Sequence, residues 1–334
     1  MPVHGGLWLC EGAESLGLLV SSELEKRWAD STSTMDSICQ YSLVPAGKLF
    51  RPILLLDSAW AVGGDPISVL PAAAGVECGH VASLIHDDII DHDEMRRGRP
   101  SVQHKYGINE AIIVGDALLF DQFAALAECR RRGVGDRQVA SALEAVASAG
   151  LDVCRGQSLE SELTASRRFD ASTYLQVARL KTSFFRGACE SGAILGDGSP
   201  EYVAALRAYG ESIGTAFQIH DDLLGYVSET QTMGKPKISD VQNGRITLPV
   251  IVAHESGSAA DKELISAALF ADSDPLHALA VLGEVVDRTG GLAAAAQMAR
   301  DYSQEAKNAL TKLPPSPSRQ RLACLADAAV SRDC

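Results

Sequence analysis

The stretch SLIHDDIIDHDEMRRGRP, residues 83–100, decides how this chain folds and what it handles. Its apolar and charged residues follow helical spacing. His80, Leu84, Asp87 and Asp91 succeed one another at intervals of four, three and four, so they share one helical stripe. Carboxylates do not normally crowd onto an apolar helix, because like charges repel and burial is costly. A cation has to neutralise them, and hard oxygen ligands of this kind suit Mg²⁺, which is often shared with substrate phosphates. A second stretch, FQIHDDLLGY at residues 217–226, repeats the pattern with Gln218, Asp221 and Gly225. Asp88 and Asp222 stand beside the two stripes, placed to act through water. Either cluster alone would also fit a solvated acidic face. Both end an apolar run with Ile-His-Asp-Asp. That repetition points to two clusters facing one cavity and holding a diphosphate through several metal ions.

The chain has 334 residues, 46% hydrophobic and only 5% aromatic, enough for a sizeable core in one large domain or two ordinary ones. Alanine and leucine dominate, β-branched runs are scarce, and alanine is the strongest helix former. Helical periodicity recurs from about Leu16 onward. It is broken only by short polar separators at residues 61–66, 131–136, 196–200, 257–261 and 313–318. In the third of these, Ser199 is placed to cap a helix that begins at Pro200. None of them is long enough to be an interdomain linker. The expected architecture is therefore a single all-α domain over residues 1–334, of ten or more helices, with a flexible start at residues 1–15.

A net charge of −13 argues against a nucleic-acid partner but not against a phosphorylated small molecule, for which only local charge matters. The cysteines at 10, 39, 78, 129, 154, 189, 324 and 334 form no C-x-x-C pair, so a zinc site is not expected. Most read as small core residues, which suggests a reducing compartment. The N-terminal residues have no basic residue before their short apolar patch, unlike a secretory signal. No run approaches the ~18 uncharged apolar residues of a membrane span. A cytoplasmic location and no transmembrane segment are expected. Glu77-Cys-Gly-His80 has the spacing of a di-iron carboxylate motif, but that chemistry needs two such motifs and the chain has one.

Basic residues complete the charge pattern. Lys48 and Arg51 lie three apart just ahead of a helix led by Pro52, and Arg96-Arg97-Gly98 forms a turn that suits bidentate phosphate contact. Lys181-Thr182 lies inside an apolar helical run, where a lysine either snorkels or meets an anion. The arginines at 130–132 read as a helix end offsetting the macrodipole. Residues 228–246, the least helical stretch, follow the second cluster directly and read as a lid.

Together these residues resemble the trans-isoprenyl diphosphate synthases of the polyprenyl synthetase family, from about residue 47 to residue 249 and more weakly beyond. DDIID (87–91) followed by RRGRP (96–100) is similar to the family's first aspartate-rich motif, and FQIHDDLL to its second. AGKLFRP, VGDALL, Lys181-Thr182, MGKPKISDV and NGRITLP fall in family order. The resemblance implies an all-α isoprenoid synthase fold with a central cavity, usually a homodimer. It implies head-to-tail condensation of isopentenyl diphosphate with an allylic diphosphate. Carried over by motif, Asp87, Asp91 and Asp221 would bind Mg²⁺, with Asp88 and Asp222 in support, and about three ions would serve each site. Arg96, Lys181, Thr182, Gln218 and Lys235 would hold the allylic substrate. Lys48, Arg51, His80 and Arg97 would hold isopentenyl diphosphate. No side chain is an obvious base, so the released diphosphate is expected to take the proton.

Gly225 and Arg245 depart from the family pattern, standing where many members carry aspartate and lysine. DDLLG is similar to a variant found in actinobacterial members. A non-catalytic partner subunit would have lost the first acidic motif, which is intact. A terpene cyclase on the same fold would not need the isopentenyl residues, which are all present. In the family the product tail grows along the helix of Asp87 towards its N-terminal end. Ala82, Ser83, Cys78 and Gly79 would meet it there, and all are small. Farnesyl-forming relatives often carry an aromatic at the Ala82 position. The chain is thus expected to elongate past farnesyl to geranylgeranyl diphosphate, or further, with Phe120 closing the cavity deeper down.

Overall fold

Leu70 and Pro71 open the helix on which the first acidic cluster rides, with proline in the first turn, where its missing N–H costs nothing. That helix, Leu70–Ile90, buries residues on every side through most of its length, as a central helix does. The computed structural model describes residues 10–29, 33–227, 239–271 and 274–331. Its helices are α1 (Ala13–Arg27), α2 (Thr34–Leu43), α3 (Phe50–Ala61), α4 (Leu70–Ile90), α5 (Val102–Tyr106), α6 (Ile108–Glu128), α7 (Asp136–Ser166) and α8 (Ala171–Lys181). They continue as α9 (Ser183–Leu195), α10 (Pro200–Val227), α11 (Ser239–Gln242), α12 (Leu248–Ser256), α13 (Ala259–Phe270), α14 (Pro275–Arg288), α15 (Gly291–Ala309) and α16 (Pro317–Ala328). The all-α expectation holds. The departure is a small antiparallel ribbon, β1 (Met95–Arg96) and β2 (Arg99–Pro100), made by the arginine turn.

The chain divides into two compact units. The first comprises Met1–Ser148, Phe184–Gly210 and Ala309–Leu325. Within it α4 lies along α6, and Gly79 permits the approach: a Cβ there would come within 1.3 Å of Gln122 Oε1. A reciprocal capping box starts α2, Ser33 Oγ accepting from the Asp36 N–H and the Asp36 carboxylate from the Ser33 N–H. Three ties anchor α16. Arg321 donates to the fully buried Asp57 of α3, the Tyr209 hydroxyl donates to the Leu322 carbonyl at 2.8 Å, and Cys10 is disulfide-bonded to Cys324.

The second unit comprises Ala149–Ser183, Glu211–Asn308 and Ala326–Cys334. Its core gathers Tyr174 and Ala178 of α8, Ile219 and Leu223 of α10, Ile251 of α12 and Val285 of α14. A capping box at Ser258 and Asp261 starts α13, and the Asp274 carboxylate accepts from the His277 N–H to start α14. Ser199 caps α10 as its sequence implied, accepting from the Tyr202 N–H.

The cysteines follow the sequence reading in part. Cys39, Cys78, Cys129 and Cys189 are buried free thiols, but Cys154 is exposed and Cys10 pairs with Cys324. With a sequence separation of 314, no local spacing announces that pair. Of the expected flexible start at residues 1–15, Cys10 is in the disulfide and α1 begins at Ala13; residues 1–9 lie outside the described residues. Among the described residues no helix is long and apolar enough to cross a membrane.

Candidate active site

The first cluster closes α4. Asp87 and Asp91 are half-buried one turn apart, Asp91 capping the helix with its N–H bonded to the Asp87 carbonyl at 2.8 Å. Asp88, 2% exposed, faces inward. It takes direct contacts from Arg96, whose guanidinium also reaches Asp93 at 3.2 Å. Burial pushes the Asp88 carboxyl up to about 6, and Arg96 pulls the other way. The β1–β2 ribbon brings Arg96 back onto α4, and its tight turn puts Arg97 (φ 52) and Gly98 (φ 75) in the left-handed region. Both central residues of a type I′ hairpin require positive φ, which glycine tolerates and arginine does so at a cost of ~1–2 kcal/mol.

Arg97 turns towards the preceding helix. Its Nη2 lies 3.8 Å from Glu77 Oε1, and Arg51 stacks 4.3 Å from the Phe185 ring centroid. His80 is held well below its ordinary pKa, first by burial and then by the charges of Arg51, Arg97 and Arg96, so its imidazole is neutral near pH 7. Lys48 is exposed ahead of α3. The sequence-derived isopentenyl set thus has Arg51, His80 and Arg97 acting electrostatically on one neighbourhood.

In the second unit, Lys181, Gln218, Asp221 and Asp222 line one cavity of about 80 Å³, with Glu160, Tyr174, Asp240 and Arg245 among its other walls. Asp221 is half-buried and Asp222 is buried. Asp222 accepts from the Tyr174 hydroxyl at 2.5 Å and from Gln218 Nε2 at 2.9 Å. Burial, then the charge of Asp240, pushes its carboxyl up to about 7. Lys181 Nζ is 2.5 Å from Glu160 Oε2, and Thr182 donates to the Ala178 carbonyl at 2.7 Å. Arg245, one of the two departures, donates to Asp240 at 2.9 Å and stands 3.8 Å from Glu160. Sequence reasoning missed Tyr174 and Glu160. Nothing marks them in the sequence, because each lies on a different helix from its partner. Lys235 and residues 228–238 of the expected lid lie outside the described residues.

These donors fit Mg²⁺. Asp87, Asp91 and Asp221 offer hard carboxylate oxygens, and among the described residues no three acidic, histidine or cysteine side chains are gathered to hold an ion by themselves. Mg²⁺ suits such sites, since it commonly takes one or two carboxylates and fills its shell with water and substrate phosphates.

Of the expected chain-length residues, Cys78 and Ala82 are fully buried on α4, Gly79 meets Gln122, and Ser83 donates to the His80 carbonyl. Phe120 is 75% exposed on α6. Its spacing placed it on the helix but could not say which face looks inward.

The polyprenyl synthetase family model matches residues 32–280. The chain is 38% identical over 295 residues to a short chain isoprenyl diphosphate synthase of Methanothermobacter thermautotrophicus, covering 88% of this chain and 89% of the relative. It is 35% identical to a geranylgeranyl diphosphate synthase of Methanosarcina mazei, covering 88% of each. Other relatives are farnesyl, geranylfarnesyl and octaprenyl diphosphate synthases. A polyprenyl synthase from Caulobacter crescentus, crystallised with calcium and isoprenyl diphosphate, superimposes with a TM-score of 0.88 at 28% identity, covering 99% of each chain. The chain belongs to the polyprenyl synthetase family, whose members are Mg²⁺-dependent prenyltransferases that join isoprenoid diphosphates in trans.

Proposed function

We propose that this enzyme condenses isopentenyl diphosphate head-to-tail with dimethylallyl, geranyl or farnesyl diphosphate and releases geranylgeranyl diphosphate. The observation that carries the reading is that each Ile-His-Asp-Asp helix end has cationic or amide donors close by. These are Arg96, with Arg97 lining the same pocket as Asp88, in one unit, and Lys181 and Gln218 in the other. Asp87, Asp91 and Asp221 serve as Mg²⁺ ligands, supported by Asp88 and Asp222. Mg²⁺ bound there, about three ions, offsets the charge that builds on a departing diphosphate. Arg96, Lys181, Thr182, Gln218 and Lys235 orient the allylic diphosphate, and Lys48, Arg51, His80 and Arg97 the isopentenyl diphosphate. Neutral His80 donates a hydrogen bond without adding charge. Apolar walls keep water from the allylic cation until the isopentenyl double bond attacks. The proton then passes to the released diphosphate.

The synthase acts as one functional domain and as a cytoplasmic homodimer. Ile112, Ile113 and Phe120 of α6 are 45%, 49% and 75% exposed at helical spacing, an apolar seam suited to a second copy. Arg97→Ala is expected to raise KM for isopentenyl diphosphate more than KM for the allylic primer, and Lys181→Ala to do the reverse. Steady-state kinetics with each substrate varied in turn tests the division. Equal effects of both variants on both substrates would show it to be wrong.

Product length rests on Cys78, Gly79, Ala82 and Ser83, none of them bulky enough to stop a tail at farnesyl. A longer product is the second reading, favoured by the absence of an aromatic at all four positions. Ala82→Phe is expected to shorten the product, because the ring takes the volume a further isoprene unit needs. Chromatographic sizing of products decides. An unchanged product in the variant, with wild type stopping at farnesyl, would mean that the tail does not pass Ala82.

A further inference from the structure

Glu77 has no part in the roles assigned above. It lies on α4 one turn before His80 and is 2% exposed. The charges that act on its carboxylate are the guanidinium groups of Arg97 and Arg51, and the Arg97 contact spans 3.8 Å. As a source of stability this arrangement is poor. Burying an ion costs several kcal/mol, and only close, well-bonded geometry offsets that. It is well suited to fixing a side chain. Arg97 already sits on a left-handed backbone, and its guanidinium occupies a notch over Gly47, where an added Cβ would come within 2.5 Å of Arg97 Cζ. A long arginine side chain carries about 2 kcal/mol of rotamer entropy, which an anion must otherwise overcome on binding. Backbone, notch and carboxylate together restrict it beforehand.

We infer that Glu77 is a positioning residue for the isopentenyl diphosphate site, aiming Arg97, with Arg51 beside it, before the diphosphate arrives, and that Gly47 is the notch that admits the Arg97 guanidinium. This rests on the reading of Arg97 as an isopentenyl diphosphate ligand, and the experiment separates the two.

The test is steady-state kinetics of the full-length, Mg²⁺-loaded enzyme carrying Glu77→Ala, Glu77→Gln, Gly47→Ala, Arg97→Ala or the Glu77→Gln/Arg97→Ala pair. Glu77→Ala is expected to raise KM for isopentenyl diphosphate about tenfold, the worth of one charge-assisted contact, and to leave the allylic KM within about twofold. Glu77→Gln keeps the volume and can still accept an arginine N–H, so it falls in between. It also decides the matter if Glu77→Ala does not fold. Gly47→Ala shows the same selective rise. In the double variant Glu77→Gln adds nothing to Arg97→Ala. A purely structural Glu77 would lower kcat or the melting temperature without separating the two KM values. That result, or additive effects in the double variant, would overturn the inference while the Arg97 assignment stands. If Arg97→Ala itself gives no selective rise, the assignment of the site fails first.

Discussion

Replacing Asp221 with alanine is expected to lower turnover by about 10²- to 10³-fold, and replacing Asp87 to do the same, with little effect on folding. Both carboxylates are half-buried at the ends of long helices whose other faces carry the packing. Truncating either therefore leaves the core intact, and such surface changes usually shift stability by only about 0.5 kcal/mol. What disappears is one oxygen donor from a cluster that must offset the charge growing on a leaving diphosphate. Every ~1.4 kcal/mol of lost transition-state stabilisation is a tenfold loss of rate. Single-turnover measurements on each variant, alongside thermal melts, separate chemistry from folding. Near-normal turnover by either variant would remove that aspartate from the metal set.

Arg321→Ala is expected to cost about 3–5 kcal/mol of stability, because it leaves the Asp57 carboxylate buried without its partner. Asp57 is fully buried on α3, and Arg321 of α16 binds it through Nε at 3.0 Å and Nη2 at 2.5 Å while lying over Trp60. Burial pushes the Asp57 carboxyl from its ordinary 3.8 up to about 6 even with Arg321 in place. A folded-state value above the unfolded one means that the folded chain binds more protons between about pH 4 and pH 6. The contribution of this group is therefore fully present below the lower value and is lost as pH rises through the higher one. Without Arg321 the folded-state value climbs further, so the deficit of the variant is small at pH 5 and widens towards pH 8. Denaturant unfolding at the two pH values measures this. A deficit that is the same at both, or larger in acid, would contradict the account.

The parts of the molecule legible in the sequence are those set by local spacing. The intervals between His80, Leu84, Asp87 and Asp91 belong to a helix and to little else, and α4 carries them as read. Ser199 and Pro200 mark a helix start by chemistry that acts over three residues. The parts that escaped depend on which distant surface a residue meets. Tyr174 reaches Asp222 across 48 positions, and Glu160 reaches Lys181 across 21. Phe120 sits on the expected helix with its ring largely exposed, and what surface it meets is not a matter of spacing. Arg96-Arg97-Gly98 was recognisable as a turn. Its closure into a ribbon that pairs Arg96 with Asp88 depends on the inward face of α4, which spacing alone does not orient.

Prenyl transfer is decided by incubating the purified protein with isopentenyl diphosphate and each allylic primer in turn, with Mg²⁺ and with chelator, and sizing the products. Mg²⁺-dependent incorporation of isopentenyl units into all-trans products that accumulate as geranylgeranyl diphosphate is expected, and none with chelator. Failure to incorporate isopentenyl diphosphate with any primer, or incorporation indifferent to chelator, would contradict it.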